Sequence, residues 1–321
     1  MRAFGFICLL SILLTSSLFG AENELYPFQK DGKWGYINST GSVVIEPIYD
    51  LAWSFQEGLA WVVDFDKFIY IDSNGKAVIQ SDFEEAYSFC DGLARVKVDG
   101  NWGYIDKNGK LAIEPKYKEA GDFHNGLAPV FTDGWWGYIN KMGEIAIKPQ
   151  FFRAEEFSGG TACVQKGDKW GIINTSGIFV IEPQYEDILN FSEDLAKVKI
   201  GYQYGFIDPS GDIIIEPKYD YAYKFSEGLA RVIVDSKWGV INTKGELVIP
   251  AQYEEIDDFS NGLAPVKINE KYGYIDRNGN IAIQPLFDTA EKFQGELGRV
   301  RIGDGWGYID KTGNFVLTPS N

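Results

Sequence analysis

The chain repeats itself every 34 residues. Trp34, Trp102, Trp136, Trp170, Trp238 and Trp306 stand on one arithmetic series, and Phe68, Tyr204 and Tyr272 hold its remaining terms, giving nine units without an insertion. A strict period of this length means that each unit is a supersecondary block that cannot bury its apolar face alone and must lean on its neighbours. The fold is therefore a stack of near-identical blocks, and no single reaction is written in it.

The columns of the repeat are a folding vocabulary. Ile37 recurs in all nine units through Ile309, and the glycine four places on recurs from Gly41 to Gly313. Val62 to Val300 and Phe55 to Phe293 form two more unbroken columns, and an aromatic column beginning at Tyr49 sits just past a frequent proline such as Pro47 or Pro115. None of these residue types carries acid–base or nucleophilic chemistry.

Within a unit the backbone reads as β. Leu93 to Val98 alternates apolar and polar residues, Asp99-Gly100 is a tight-turn signal, and Trp102 to Asp106 alternates again. Asn108-Gly109 supplies a second turn and Pro115 ends a third strand. The unit is expected to be a three-strand meander, with Tyr117 to Gly126 left open between a helical turn and a fourth short strand. Helix-pair repeats share the period, but several Gly and Pro per unit would cost them roughly 1 to 3 kcal/mol each. The all-β class has two arrangements. An open solenoid-like array is preferred, because the unit is shorter than a blade of about 40 to 45 residues and no split blade is visible; a closed propeller-like ring is the alternative.

Lys33-Trp34-Gly35-Tyr36-Ile37-Asn38, followed by Val44-Ile45-Glu46-Pro47-Ile48-Tyr49-Asp50 and Glu57-Gly58-Leu59-Ala60, resembles the WG (KWG) repeat of bacterial proteins. The resemblance covers residues 21–321 as one domain. It implies a β-rich module, often exported, with no shared catalytic residues. Unit two departs most, with Phe68-Ile69 for Trp-Gly and Ser81 for Pro.

Residues 1–20 read as a secretory signal peptide: Arg2 precedes an uncharged apolar run from Ala3 to Phe19, with cleavage expected after Gly20. An exported chain (periplasmic, surface-held or secreted), with no integral membrane span once the leader is removed, follows. Cys90 and Cys163 occupy different phases of the repeat, so no disulfide framework is expected. The formal net charge of −16 makes nucleic acid a poor partner.

Enzyme and cofactor signatures are missing from the sequence: no nucleophile elbow, His-Glu-x-x-His, phosphate loop or Cys-x-x-Cys occurs. No cofactor or metal is expected. His124, the single histidine, falls in a turn. Carboxylates run as a column (Asp50, Glu84, Glu186, Asp220, Glu254, Asp288), whereas a glycosidase pair would be a singular deviation. Asp72-Ser73-Asn74-Gly75 and Asp276-Arg277-Asn278-Gly279 suit hairpin turns better than calcium loops.

Two sets of residues are candidates for binding. Trp53, Trp61, Phe65, Phe68 and Tyr87 place large aromatics at phases that are elsewhere charged or small, suited either to a stacked ladder for glycan or peptide or to capping the first unit. Trp135, Tyr221 and Tyr223 are weaker members. A basic ribbon, Arg95, Lys97, Lys197, Lys199, Arg231, Arg299 and Arg301 with Lys267, shares one strand face and would serve inter-repeat ion pairs or a ligand. The expected role is a non-enzymatic interaction module for an envelope or extracellular macromolecule, a protein first and a carbohydrate or peptidoglycan second.

Overall fold

The computed structural model describes residues 24–319. The expected leader and its cleavage point lie outside them. Between these limits the chain forms nine antiparallel sheets, each a meander of neighbours in sequence. In the third they are Glu85–Cys90, Leu93–Val98, Asn101–Ile105 and Leu111–Tyr117. We number the sheets as blades 1 to 9 in chain order: 26–49, 51–80, 85–117, 119–151, 153–185, 196–219, 221–253, 255–287 and 289–317.

Turn chemistry shapes each blade. Asp99 and Gly100 both take positive φ, 48° and 71°, which is the conformation a two-residue hairpin with right-handed twist demands. The next turn is closed by Asp106, whose Oδ1 accepts the Asn108 and Lys110 amides at 2.9 and 3.0 Å. The glycine of the Trp-Gly pair has a different reason. A Cβ on Gly103 would lie 2.6 Å from the Ile113 carbonyl and 2.7 Å from the Pro115 nitrogen, because the fourth strand bulges against it. Gly and Pro recur together because one makes room for the other.

The undecided connector is a strand. Glu119–Ala120 pairs with Phe131 and Val130, so it is the first strand of blade 4 rather than the tail of blade 3. The 34-residue unit thus makes a four-stranded blade by keeping that strand two residues long.

The open solenoid expectation is corrected: the nine blades close into a ring, a β-propeller. Blade 9 packs on blade 1, where Tyr26 and Tyr308 lie 5.7 Å apart and join Phe28, Ile37 and Leu297 in one cluster. The Tyr308 hydroxyl donates to the Pro27 carbonyl at 2.8 Å. Gly41 of blade 1 abuts Val316 of blade 9, much as Gly75 abuts Ile45 within the series. Blade length and the missing split blade misled the expectation. A two-residue first strand shortens the blade, and closure is made by side chains.

The core is consequently a set of layers between blades. One layer joins Trp102, Tyr104 and Ile113 of blade 3 to Ala120, Phe123 and Val130 of blade 4. Two hydrogen bonds recur across these layers. A tyrosine on the third strand donates to a backbone carbonyl of the next blade, as in Tyr36 to Trp53, Tyr70 to Tyr87, Tyr104 to Gly121 and Tyr138 to Glu155, each 2.7 Å. A side chain in a tight loop accepts the amide of the next blade's loop glycine: Glu57 from Gly92, Asp91 from Gly126, Asn125 from Gly160, Glu193 from Gly228 and Glu227 from Gly262. Among the described residues no helix is long and apolar enough to cross a membrane.

Candidate functional site

Four of the five nominated aromatics meet. Trp53 and Trp61 stack at 3.4 Å, and Trp61 lies 5.7 Å from Phe68 and 6.3 Å from Tyr87 of the next blade. Trp53 and Tyr87 do not stack directly, because Trp61 stands between them. Phe65 is elsewhere, 83% exposed on a hairpin turn with the Lys33 ammonium 5.7 Å from its ring. Since the ring has no terminal unit to seal, the aromatics fill the junction between blades 2 and 3. Trp61 is only 8% exposed, while Trp53 and Tyr87 keep 37% each.

Most of the basic ribbon is engaged by protein. Arg95 lies 4.3 Å from the Tyr87 ring and 4.8 Å from Trp102; it donates to the Ala120 carbonyl, and its Nε is 3.2 Å from Asp122. Burial pushes the Asp122 carboxyl above the usual range although Arg95 pulls the other way. Lys97 pairs with Glu85 at 2.7 Å, Lys267 with Glu255 at 3.2 Å and Arg299 with Glu291 at 3.4 Å. Arg231 holds Asp258 at 2.7 Å and sits 3.6 Å from the Tyr223 ring. Lys197 is 3% exposed, paired with Asp187 at 2.8 Å beneath Tyr204 and Tyr221. Arg301 bonds Thr289, and Lys199 rests 5.9 Å from Tyr204 with no carboxylate partner among the described residues. Geometry favours inter-strand and inter-blade pairing over a continuous ligand-facing stripe.

The acidic column serves turns. Asp50 takes Lys33 and the Phe65 amide, and Asp288 takes Lys271 and the Gly303 amide; both carboxyls are held below the usual range, chiefly by those lysines. Asp276 caps its own turn through the Asn278 and Asn280 amides. His124 Nε2 lies 3.4 Å from Glu156 of the next blade. Burial pushes Cys90 up to about 11, and Cys163, deeper still, is also raised.

The site that sequence reasoning missed lies between blades 5 and 6, where a cleft of about 770 Å³ opens. Residues of four consecutive blades line it, from His124 in blade 4 to Lys224 in blade 7. Only near the axis of a ring do side chains from such separated blades approach one another.

Several losses coincide here. Trp61, Arg95, Lys197 and Arg231 occupy one column, and in blade 5 that place falls to Cys163. The bridging tyrosine is Ile172, so the Leu189 carbonyl receives no hydroxyl. The loop acceptor is Gly159, which has no side chain, and its partner glycine is Asp194. Among the described residues every other junction keeps a tyrosine bridge or a loop acceptor, and this one keeps neither. The first strand of blade 6 is reduced to one bridge, Ile188 to Val198. What remains is Asn190, which donates to the Glu156 carbonyl at 3.1 Å and accepts from Cys163 Sγ at 3.3 Å. A Cβ on Gly211 would sit 3.5 Å from Ile181, against 2.8 Å for Gly109 and Ile79. The polar fastening of the junction is slack, while a buried apolar layer, Cys163, Ile172 and Ile181 against Ile188, Ala196 and Val198, still joins the blades.

The signal was present in the repeat, as residues smaller than their column. Singly it is weak, since Pro129 and Pro265 share the column of Cys163 and Val240 that of Ile172; only the coincidence at one junction is distinctive.

A family model described as a WG containing repeat matches residues 34–64, 70–102, 102–134, 136–170, 170–203, 204–238, 238–272, 272–306 and 306–320. No curated protein matches the chain. Among solved structures, one described as a eukaryotic initiation factor is similar with a TM-score of 0.66 at 9% identity, covering 92% of this chain and 96% of its own. A dihydro-heme d1 dehydrogenase, NirN in complex with DHE, is similar at 0.49 and 11%, covering 84% and 75%. Hsv2p of Kluyveromyces lactis is similar at 0.42 and 8%, covering 70% and 92%. At such identities the likeness concerns fold alone.

Proposed function

The chain belongs to the family of WG-containing repeats, and from that premise we propose that it is an exported, non-enzymatic binding module whose partner is a protein. The observation that carries the reading is the axial cleft between blades 5 and 6. A scaffold that fastens its other junctions with a tyrosine bridge or a loop acceptor omits both here, and lines the opening with polar groups drawn from four blades. Clefts of about 300 to 1,000 Å³ with a few convergent polar groups are where ligands sit. The carboxylates, which an acid–base mechanism would need, recur by column and are spent on turns and blade contacts. The apolar run from Ala3 to Phe19 supports export.

A second reading, carbohydrate or peptidoglycan docking, is favoured by the 37% exposure of both Trp53 and Tyr87 beside Trp61. One experiment separates them. The chain from Ala21, immobilised beside a heat-unfolded control, is expected to retain a specific protein from a solubilised envelope extract. Retention of glycan without protein would overturn the first reading in favour of the second.

A further inference from the structure

We propose that the cleft between blades 5 and 6 receives an extended acidic peptide segment of the partner protein, with its carboxylates on Arg153, Lys199 and Lys224. The inference rests on the protein-binding reading and gives that contact its place and chemistry.

The charge pattern selects the ligand. Of the acids lining the cleft, Asp187 is held by Lys197 at 2.8 Å, and Glu156 takes the Asp122 amide at 2.7 Å and faces His124. Glu186 stands 4.0 Å from Lys169, which leaves Glu155 and Glu156 as the carboxylates without a lysine or arginine partner. Against them stand three cations, Arg153, Lys199 and Lys224, with no ion-pair partner among the described residues. Arg153 alone among the six described arginines has neither a hydrogen bond nor an ion pair. In a chain of formal charge −16, the unpaired cations of this opening outnumber its unpaired carboxylates by three to two. A guanidinium fork grips a carboxylate through two parallel bonds, and lysines add point charges.

Backbone chemistry points to a peptide. The Leu189 carbonyl occupies the place that Trp53, Tyr87, Gly121 and Glu155 fill elsewhere, but Ile172 offers it no hydroxyl. A peptide N–H supplies the missing donor. Cys163, Trp170 and Tyr204 on the cleft lining offer an apolar side chain of the peptide a place between the acidic ones.

The test is selection of phage-displayed random linear peptides on the whole chain. Enriched sequences are expected to cluster Asp and Glu beside an apolar residue. A fluorescein-labelled synthetic copy should lose about tenfold or more in affinity on Arg153→Glu or Lys224→Glu, the scale of one charge-assisted bond, and should weaken as salt rises. Cys163→Trp, which restores the residue type of Trp61, should block binding. In case that bulk unfolds the ring, the two exposed charge reversals keep the test decisive, with thermal melts verifying their fold.

Enrichment without acidic residues overturns the proposal, as does an acidic peptide indifferent to these variants. So does polygalacturonate binding in the cleft where acidic peptides do not. A captured protein that holds the Arg153→Glu chain as tightly as the wild type refutes the cleft assignment and leaves the binding module standing. Failure of any protein to bind removes both.

Discussion

The junction between blades 3 and 4 and the junction between blades 5 and 6 are built from the same columns with opposite results. In the first, Arg95, Trp102 and Tyr104 fill the space, and Arg95 and Tyr104 reach the backbone of the next blade. In the second, Cys163, Trp170 and Ile172 occupy the matching places, and beside a shared apolar layer with Ile188, Ala196 and Val198 the polar link between the blades is Asn190. Smaller side chains in the same columns leave a cleft at one junction where the other is close-packed.

The comparison is broken or sharpened by substitution. Trp61→Ala should give the largest effect, roughly 3 to 5 kcal/mol in denaturant unfolding, since a buried indole stacked on Trp53 leaves a cavity. Cys163→Ala at the same column should cost at most about 1 kcal/mol, and equal losses would mean that the slack junction is packed as tightly as the full one.

Arg95→Met should cost about 3 kcal/mol by leaving the buried Asp122 unpaired, whereas Arg153→Met should stay within about 0.5 kcal/mol. pH adds a sign to this. The Asp122 carboxyl is held above its unfolded value, so its contribution to stability grows as pH falls through the folded value. Asp50 and Asp288 are held below theirs, so their contributions are present above the unfolded value and are lost as pH falls through the folded one. Asp122→Asn should therefore remove a gain in stability on acidification above about pH 4, before the losses at Asp50 and Asp288 set in; an unchanged pH profile in melts counts against the burial argument.

Tyr104→Phe should cost about 1 kcal/mol by orphaning the Gly121 carbonyl. Ile172→Tyr is the reciprocal change and should leave stability unchanged or raise it by about that amount, while weakening whatever the cleft holds. A marked destabilisation would show that blade 6 is not poised to accept the bridge.

The smallest effect concerns the thiols. With Cys90 pushed up to about 11, on the order of one molecule in a thousand carries a thiolate at pH 8. Disulfide-exchange reagents should label the folded chain slowly at both cysteines and the unfolded chain fast. Rapid native labelling of Cys163 alone would reveal an opening at blades 5 and 6 that blade 3, home of Cys90, does not share.

Much of the fold was legible because its determinants are local. Asp99-Gly100 and Asn108-Gly109 specify their turns whatever surrounds them, and the Val62 and Ile37 columns mark buried faces. Closure was not legible. It depends on a small curvature per unit summed nine times, and on the meeting of Tyr26 with Tyr308, which no spacing rule anticipates. The aromatic set does lie together, with Phe65 the exception. Its exposure was not legible, since whether Trp61 faces water or a neighbouring blade is decided by ring geometry. The cleft stayed hidden for a related reason: Cys163, Gly159 and Ile172 are unremarkable singly and become a site only when three columns are compared at one junction.

The loop acceptors have a further consequence. Glu57 reaches forward to Gly92, while the loop that carries Gly92 also carries Asp91, which reaches forward to Gly126. A 34-residue stretch of this kind brings both a hook for its successor and an eye for its predecessor. Tandem duplication of such a stretch inserts a blade that is compatible on both sides from the first generation. A stretch with Gly159 in the hook position offers its successor no such acceptor.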